Sequence, residues 1–298
     1  MTSIAFSAET PAEVFKSAKR VVFLGDSITW NGGCVADFLA WAESGPRKFD
    51  GMVAINLGLP SETVSGLSEP GHAGGKFPRP DLHERLGRVL EATKPDLIFA
   101  CYGMNDGIMM PYDPERTKKF AEGMTKLKEA VEKTGAKIIV LTPPYYDWLK
   151  NPALKHYTEV LAKYSEWLMS QREKGWMVVD VNGAMTREIM EKRRTDPGFS
   201  VQPDAVHPDA AGHWMMAKPL IHACGGTDVR AGSVAEMLKS KQVPPQFHGL
   251  ITQRMIVLRD AWLTKTKHTR PGIPTGKPLE QAETAARELQ EKADALLK

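Results

Sequence analysis

Five short apolar runs recur along the chain, and a segment with helical spacing follows each of them. The runs are RVVFLG (20–25), MVAINLG (52–58), DLIFACYG (96–103), AKIIVLTPP (136–144) and WMVVDVN (176–182). Continuous runs of this kind are typical of strands buried on both faces of a parallel sheet. The segments with apolar residues at intervals of three and four are 33–44, 81–94, 113–134, 152–174 and 183–194. The alternation predicts a three-layer α/β domain with a parallel central sheet.

The chain from about residue 226 onwards has a different pattern, because it contains no run that favours a strand. Helical spacing predicts three helices there, at 232–241, 247–264 and 277–297. We therefore expect two parts: an α/β domain over residues 1–225 and a helical C-terminal extension over residues 226–298 that packs on it.

The charge balance argues for a small-molecule partner. Lys and Arg number 39 against 36 Asp and Glu, so the formal charge of +3 gives no electrostatic case for binding nucleic acid or an anionic membrane. No stretch approaches the ~18 apolar residues of a membrane span. The N-terminus MTSIAFSAETPAEVFKSAKR lacks a basic segment followed by an apolar one. The chain as given is expected to be cytoplasmic, or secreted or periplasmic if a leader was trimmed; it carries no signal for an oligomeric state.

A polar triplet, Gly25-Asp26-Ser27, ends the first apolar run abruptly. A turn at the carboxyl end of a strand can present the Ser27 hydroxyl to a cleft, since ligands of open parallel sheets bind beyond those ends. Alternatively, Asp26 or Ser27 only caps the following helix, because both residue types are favoured at that position.

Two further strand ends offer hydrogen-bond donors to the same cleft. Gly58 ends the second run, and it has no side chain to shield its backbone N–H. Asn105 follows the third run within YGMNDG and can aim its side-chain amide at a ligand. Both patterns are also ordinary turn chemistry.

An Asp and a His lie three residues apart near the end of the α/β part. Asp204 and His207 belong to the segment QPDAVHPDAAGH, in which two prolines bracket them. Such a loop can hold an imidazole with a carboxylate against its far nitrogen, which is the base and its orienting group in a hydrolytic triad. The alternative is an Asp that caps a turn beside a surface His.

The four blocks together resemble those of the SGNH hydrolases, also called the GDSL esterase/lipase family. VVFLGDSIT, NLGLPSETV, YGMNDG and DAVHPDAAGH match its four blocks in order, and the match extends over residues 20–222. The resemblance implies a flavodoxin-like three-layer α/β/α sandwich and an SGNH hydrolase catalytic domain over residues 1–225. The extension at 226–298 lies outside the match.

The resemblance also implies a role for each of five residues. Ser27 would be the nucleophile, His207 the general base and then acid, and Asp204 its orienting carboxylate. The oxyanion hole would use the backbone N–H groups of Ser27 and Gly58 and the side-chain amide of Asn105. No cofactor and no metal are expected.

The loops near the blocks contain candidates for substrate binding. They are Asp26, His72 in the glycine-rich segment 65–80, and Tyr145 and Trp148 in TPPYYDWL. Loops often carry specificity, and aromatic rings stack on sugars. The alternatives are a helix cap for Asp26, a solvated loop residue for His72, and packing for Tyr145 and Trp148, which is the commoner role of aromatic residues at strand ends.

The residues and the resemblance together predict a serine esterase that acts through an acyl-enzyme. A carbohydrate acetyl ester, or another small ester, is the expected substrate, because the loops are polar and aromatic and no lipid-like lid is evident. If the protein is an enzyme of another specificity, the alternative is a lysophospholipase or thioesterase-type acyl hydrolase. If it is not an enzyme, the alternative is a non-catalytic carbohydrate-binding relative.

Overall fold

The computed structural model describes residues 9–227 and 230–298; residues 1–8 of the predicted catalytic domain and residues 228–229 of the extension lie outside the described residues. Within the described part, five strands form one parallel sheet with the order β2-β1-β3-β4-β5. The strands are β1 (Arg20–Gly25), β2 (Val53–Asn56), β3 (Leu97–Cys101), β4 (Lys137–Leu141) and β5 (Met177–Val179). Apart from the first residue of some strands, all strand residues are buried, as the apolar runs predicted.

Helices flank this sheet. They are α1 (Pro11–Ser17), α2 (Ser27–Asn31), α3 (Gly33–Glu43), α4 (Leu82–Thr93), α5 (Pro114–Glu132), α6 (Tyr157–Ser170), α7 (Val181–Arg193) and α8 (Ala210–Ala223). Helices α4, α5 and α6 contact one another in succession, and α3 and α7 both contact α8. The strand order is that of flavodoxin-like folds. The predicted fold class, a flavodoxin-like α/β/α sandwich with a parallel sheet, is therefore confirmed.

The C-terminal region contains α9 (Val234–Ser240), α10 (Gln246–Thr266) and α11 (Leu279–Ala295), close to the three predicted helices. Helix α10 contacts α3, α4 and β2, so it shields the edge strand of the sheet. Neither α10 nor any other helix in the described part of the chain is apolar enough over sufficient length to cross a membrane. The division of the chain into two domains at residue 225 stays a prediction.

The sheet topology brings the predicted blocks to one edge. All five strands are parallel, so their carboxyl ends lie on the same side of the molecule. Ser27 follows β1, Gly58 follows β2 and Asn105 follows β3, all on that side. The segment with Asp204 and His207 lies between α7 and α8.

Candidate active site

The turn between β1 and α2 contains a buried capping residue, Asp26, followed by the partly exposed Ser27. Asp26 is the N-cap of α2, and its Oδ1 accepts a hydrogen bond of 2.9 Å from the Ile28 N–H. A Cβ on Gly25 would lie 2.1 Å from Thr29 Oγ1, so the tight turn requires glycine there. Ser27 is the first residue of α2, where the helix leaves backbone N–H groups without an intrahelical acceptor.

Asp26 is buried within this turn and is only 3% exposed. Burial raises its pKa to about 7, and the nearby carboxyl of Asp106 also raises it, against the lowering effect of the hydrogen bond from Ile28. The geometry thus favours a capping role for Asp26 over the substrate contact that the sequence suggested.

Ser27, His207 and Asp204 form a continuous chain of hydrogen bonds. Ser27 Oγ lies 2.8 Å from His207 Nε2, and His207 Nδ1 lies 2.6 Å from Asp204 Oδ2. Partial burial opposes ionisation of Asp204, but hydrogen bonds from the ring and the backbone of His207 lower its pKa below the ordinary value. The side chains of His207 and Asp204 are 45% and 57% exposed, so this site is open to solvent.

The loop of His207 rests on the segment that follows β4. Asp147 N–H donates to Ala205 O at 2.9 Å, and Arg193 Nη2 donates to Asp147 Oδ1 at 2.6 Å. Tyr145 belongs to the same support: it is 1% exposed, and its ring centroid lies 5.7 Å from Arg193 Cζ. Because the Tyr145 ring is enclosed, this arrangement does not favour the stacking role predicted for it.

The other two predicted substrate contacts have local partners. Trp148 is partly buried, and Lys155 Nζ lies 4.7 Å from its ring centroid. His72 Nδ1 lies 3.1 Å from Glu69 Oε1. Among the contacts of the described residues, none joins either side chain to the Ser27–His207 pair, so both remain predictions.

The oxygen and the nitrogen of the Asn105 side-chain amide both have hydrogen-bond partners, and the residue is 5% exposed. Arg79 Nη1 donates to its Oδ1 at 2.8 Å, and its Nδ2 donates to Glu62 O at 3.2 Å. No pattern in the sequence indicates the contact with Arg79, which lies 26 positions away along the chain. One N–H of the Asn105 amide remains for a ligand.

Gly58 packs tightly against α2, and its backbone N–H already has a hydrogen-bond acceptor. That N–H donates to Asn56 Oδ1 at 2.9 Å, while a Cβ on Gly58 would lie 2.3 Å from Trp30 N. The close approach explains why glycine occupies the position. In this arrangement, however, the Gly58 N–H is not directed freely at a ligand.

Ser61 is a residue that the sequence reasoning missed. Its φ of 68° is unusual for a residue other than glycine, and strained backbone of this kind clusters at functional sites. Leu59 N–H donates to Gly25 O, and Glu62 O accepts from Asn105, so Ser61 lies on the path between the Ser27 turn and Asn105. Within residues 9–227 and 230–298, the Ser61 N–H has no acceptor.

The acidic residues near the blocks have structural partners. Glu62 pairs with Arg85 at 2.6 Å, and Asp106 accepts a hydrogen bond of 2.9 Å from the Val64 N–H. Asp209 is the N-cap of α8. In the described part of the chain, no three His, Cys, Asp or Glu residues come together as a potential metal site.

A parallel sheet whose strand ends carry these blocks is the architecture of an SGNH-type hydrolase. Residues 23–215 match the model of the GDSL-like Lipase/Acylhydrolase family. Because this match covers more than half of the chain, the protein belongs to the GDSL-like lipase/acylhydrolase family. It is therefore a carboxylic ester hydrolase. No curated protein sequence matches it.

Solved structures with a similar fold include three enzymes. A gut microbial diltiazem-metabolizing enzyme is 22% identical with a TM-score of 0.54, and the match covers 75% of this chain and 49% of that chain. A catalytic mutant of Axe2, an acetylxylan esterase from Geobacillus stearothermophilus, is 21% identical with a TM-score of 0.54, over 72% of this chain and 97% of that one. LAE5, an alpha/beta hydrolase enzyme from the metagenome of Lake Arreo, Spain, is 22% identical with a TM-score of 0.51. The match covers 74% of this chain and 97% of that chain. The chain thus spans about half the length of the first structure, and these similarities establish a common fold.

Proposed function

We propose that the protein is a serine esterase in which Ser27, His207 and Asp204 act as a catalytic triad. The observation that carries this proposal is the hydrogen-bond chain from Ser27 Oγ through His207 to Asp204, with distances of 2.8 and 2.6 Å. A serine hydroxyl is a weak nucleophile unless a base accepts its proton, and His207 Nε2 lies within reach of it. Asp204 holds the ring with the proton on Nδ1, so that Nε2 is free to act as the base.

The reaction proceeds in two halves. Ser27 Oγ attacks the ester carbonyl carbon as its proton passes to His207 Nε2, and the imidazolium then protonates the departing alcohol oxygen. This leaves the acyl group on Ser27. In the second half, His207 takes a proton from water, the hydroxide attacks the acyl carbon, and the carboxylic acid leaves as Ser27 regains its proton. No cofactor takes part in these steps.

The oxyanion of each tetrahedral intermediate needs donors that are already in place. We assign the backbone N–H of Ser27 and the free Nδ2 hydrogen of Asn105 to this role. The Gly58 N–H joins them only when Asn56 Oδ1 releases it, because the two form a 2.9 Å hydrogen bond. The Ser61 N–H, without an acceptor among the described residues, is the better-supported third donor.

The substrate that we propose is a short-chain, acetyl-type ester of a carbohydrate. The exposed side chains of His207 and Asp204, at 45% and 57%, suit a small acyl group on a large polar acceptor. A long acyl chain would instead need an apolar groove beside the nucleophile. Cavities of about 540 and 900 Å³ lie elsewhere, and neither is lined by Ser27, Asn105 or His207. The acetylxylan esterase activity named for Axe2 agrees with this choice.

We also propose that the extension at 226–298 supports the catalytic domain at 1–225. Arg259 of α10 donates to Trp30 O at 2.7 Å, and its guanidinium lies 4.3 Å from the Trp30 ring centroid. Trp30 belongs to α2, the helix that begins with Ser27. The extension therefore packs directly on the element that carries the proposed nucleophile.

The experiment compares acetyl and octanoyl p-nitrophenyl esters and measures acetate release from acetylated xylo-oligosaccharides. We expect kcat/KM to be higher for the acetyl ester and acetate to be released from the oligosaccharide. A preference for octanoate with no acetate release would instead favour the lysophospholipase or thioesterase alternative.

The Ser27→Ala variant is the control for this experiment. We expect it to fold like the wild type and to lose hydrolysis of every ester. A wild-type protein that binds the oligosaccharide but hydrolyses none of the esters would favour the non-catalytic relative.

A further inference from the structure

The side-chain amide of Asn105 can donate to an oxyanion only in the orientation that turns its Nδ2, and not its Oδ1, towards the oxyanion. An Asn amide that is rotated by half a turn has nearly the same shape, but its oxygen and nitrogen exchange places. In the structure, Arg79 Nη1 donates to Oδ1 at 2.8 Å, and this contact is possible in only one of the two orientations. Glu62 O, which accepts from Nδ2 at the longer distance of 3.2 Å, favours the same orientation. The guanidinium has no acceptor atom, so the rotated amide would set two donors against each other.

Arg79 is itself held in a single geometry. Its Nε and Nη2 donate to the two carboxylate oxygens of Glu69 at 2.7 and 2.8 Å, and its backbone N–H donates to Ser68 Oγ at 2.9 Å. Partial burial opposes ionisation of Glu69, but the hydrogen bonds from Arg79 and His72 lower its pKa, so Glu69 is charged at neutral pH. Two nitrogens of the Arg79 guanidinium are bound to Glu69, and only 8% of Arg79 is exposed. The third nitrogen, Nη1, is thereby held against Asn105.

The loop that carries Arg79 is braced from outside by the C-terminal region. Arg270 Cζ lies 5.0 Å from the ring centroid of Phe77, and the Phe77 ring meets the His72 ring edge to face at 5.4 Å. His72 in turn contacts Glu69. The Glu69–Arg79 pair is therefore part of a packed loop.

We propose that Arg79 is a positioning residue for ester hydrolysis: it fixes the Asn105 amide with Oδ1 towards the guanidinium and Nδ2 towards the oxyanion. This proposal rests on the proposed function, because it takes Asn105 as an oxyanion donor. Lysine cannot replace Arg79, since a single ammonium does not offer the planar fork that spans Glu69 and Asn105 together.

The test measures kcat and KM for p-nitrophenyl acetate in Arg79→Met, Asn105→Ala and the double variant. Removing an oxyanion donor costs about 10²- to 10³-fold in kcat, and we expect Arg79→Met to lose at least about tenfold with KM nearly unchanged. In the Asn105→Ala background, Arg79→Met should cause no further loss. An equal loss in both backgrounds, or no loss in the wild-type background, overturns the proposal.

Two more variants show whether a loss of kcat in Arg79→Met comes from misfolding or from the loss of a positive charge. Arg79→Lys keeps the charge and most of the volume, so it should fold and still lose kcat if the fork is what matters. Arg88→Met is the control for losing an arginine that bridges two groups, because Arg88 also joins a carboxylate, Glu84, to a carbonyl, Thr266 O, but does not contact Asn105. Its side chain is more exposed than that of Arg79, at 40% against 6%, so Arg79→Lys controls for burial. Arg88→Met should leave kcat unchanged; a loss equal to that in Arg79→Met would contradict the positioning role.

The outcomes separate this proposal from the proposed function. If Ser27→Ala and Asn105→Ala both lose activity while Arg79→Met and Arg79→Lys keep it, only the role of Arg79 is wrong. If Asn105→Ala keeps wild-type kcat, Asn105 is not a donor and the role of Arg79 is wrong with it. If Ser27→Ala keeps activity, the serine mechanism itself is wrong.

Discussion

The carboxylate of Asp204 accepts hydrogen bonds from two parts of His207, the ring Nδ1 at 2.6 Å and the backbone N–H at 2.7 Å. It accepts a third, at 3.0 Å, from the Val206 N–H. A single side chain therefore shapes the loop and orients the ring. The two tasks fall on different oxygens, since Oδ2 faces the ring and Oδ1 faces the backbone.

The Asp204→Asn variant separates these tasks. The Asn oxygen can still accept the two backbone N–H groups, but its NH₂ then faces Nδ1 and favours the tautomer in which Nε2 is protonated. That tautomer cannot accept the Ser27 proton, so we expect kcat to fall by about 10³- to 10⁴-fold with an almost unchanged thermal midpoint. Asp196→Asn, in an exposed turn, is the control and should keep full activity. An Asp204→Asn enzyme with more than about a tenth of wild-type kcat would contradict the triad.

Gly58→Ala and Gly249→Ala should change stability in opposite directions. A Cβ at Gly58 would lie 2.3 Å from Trp30 N, so α2 must shift; we expect a loss of about 1–3 kcal/mol in the free energy of unfolding and a reduced kcat. A Cβ at Gly249 meets nothing within 4 Å in α10, so this variant should gain about 0.5–1 kcal/mol. Urea unfolding measures both. A Gly58→Ala protein as stable as the wild type would show that the contact with α2 is not tight.

Asp26 should make stability depend on pH. Burial raises the pKa of Asp26 from 3.8 to about 7, so between these values the folded protein holds a proton that the unfolded chain has released. The contribution of Asp26 to stability is therefore complete below the unfolded pKa and is lost as the pH rises through the folded one.

The Asp26→Asn variant cannot ionise and keeps an oxygen for the Ile28 N–H. We expect its free energy of unfolding relative to the wild type to rise from about pH 4 to about pH 8, by no more than ~4 kcal/mol. Urea unfolding at several pH values measures the difference. A difference that stays constant over this range would rule out a raised pKa for Asp26.

The Arg254–Glu43 pair should contribute to stability without affecting catalysis. Both residues are 6% exposed, and Arg254 Nη1 donates to Glu43 Oε2 at 2.7 Å, joining α10 to α3. Arg254→Met leaves a buried carboxylate unpaired, which costs about 3–5 kcal/mol. Adding Glu43→Leu should restore most of that loss, and kcat of the folded enzyme should not change in either variant. If the double variant is less stable than Arg254→Met, the pair is not the cause of the loss.

The sequence was sufficient for the fold because the signals are local. Runs such as 20–25 and 96–103 are buried on both faces of the sheet, and in a parallel sheet their ends must meet at one edge. That is why Ser27 and Asn105, which follow β1 and β3, could be placed near each other from the sequence. His207 lies between α7 and α8, so only the resemblance of its block to the family placed it beside them. Helix α2, with five residues, was too short for an apolar period to reveal it.

The details of the site depend on contacts that no local pattern encodes. The Gly58 N–H is engaged by Asn56, whose Nδ2 is held by Thr29 O, 27 positions away. The orientation of Asn105 follows from an arginine 26 positions away. The burial of Tyr145 depends on Arg193, which lies 48 positions further along the chain. These contacts depend on the tertiary structure. The sequence pattern therefore predicts which residues come together, but it does not predict which hydrogen-bond donors are left without an acceptor.

Covalent labelling with a fluorophosphonate, read by intact-protein and peptide mass spectrometry, examines the pairing of Ser27 with His207 directly. The reagent reacts only with a serine whose hydroxyl is activated by a base. We expect a single adduct, located on Ser27, in the wild type, no adduct in Ser27→Ala and strongly slowed labelling in His207→Ala. An unlabelled wild type, an adduct on another serine, or equal labelling rates in the wild type and His207→Ala would contradict a nucleophilic Ser27 activated by His207.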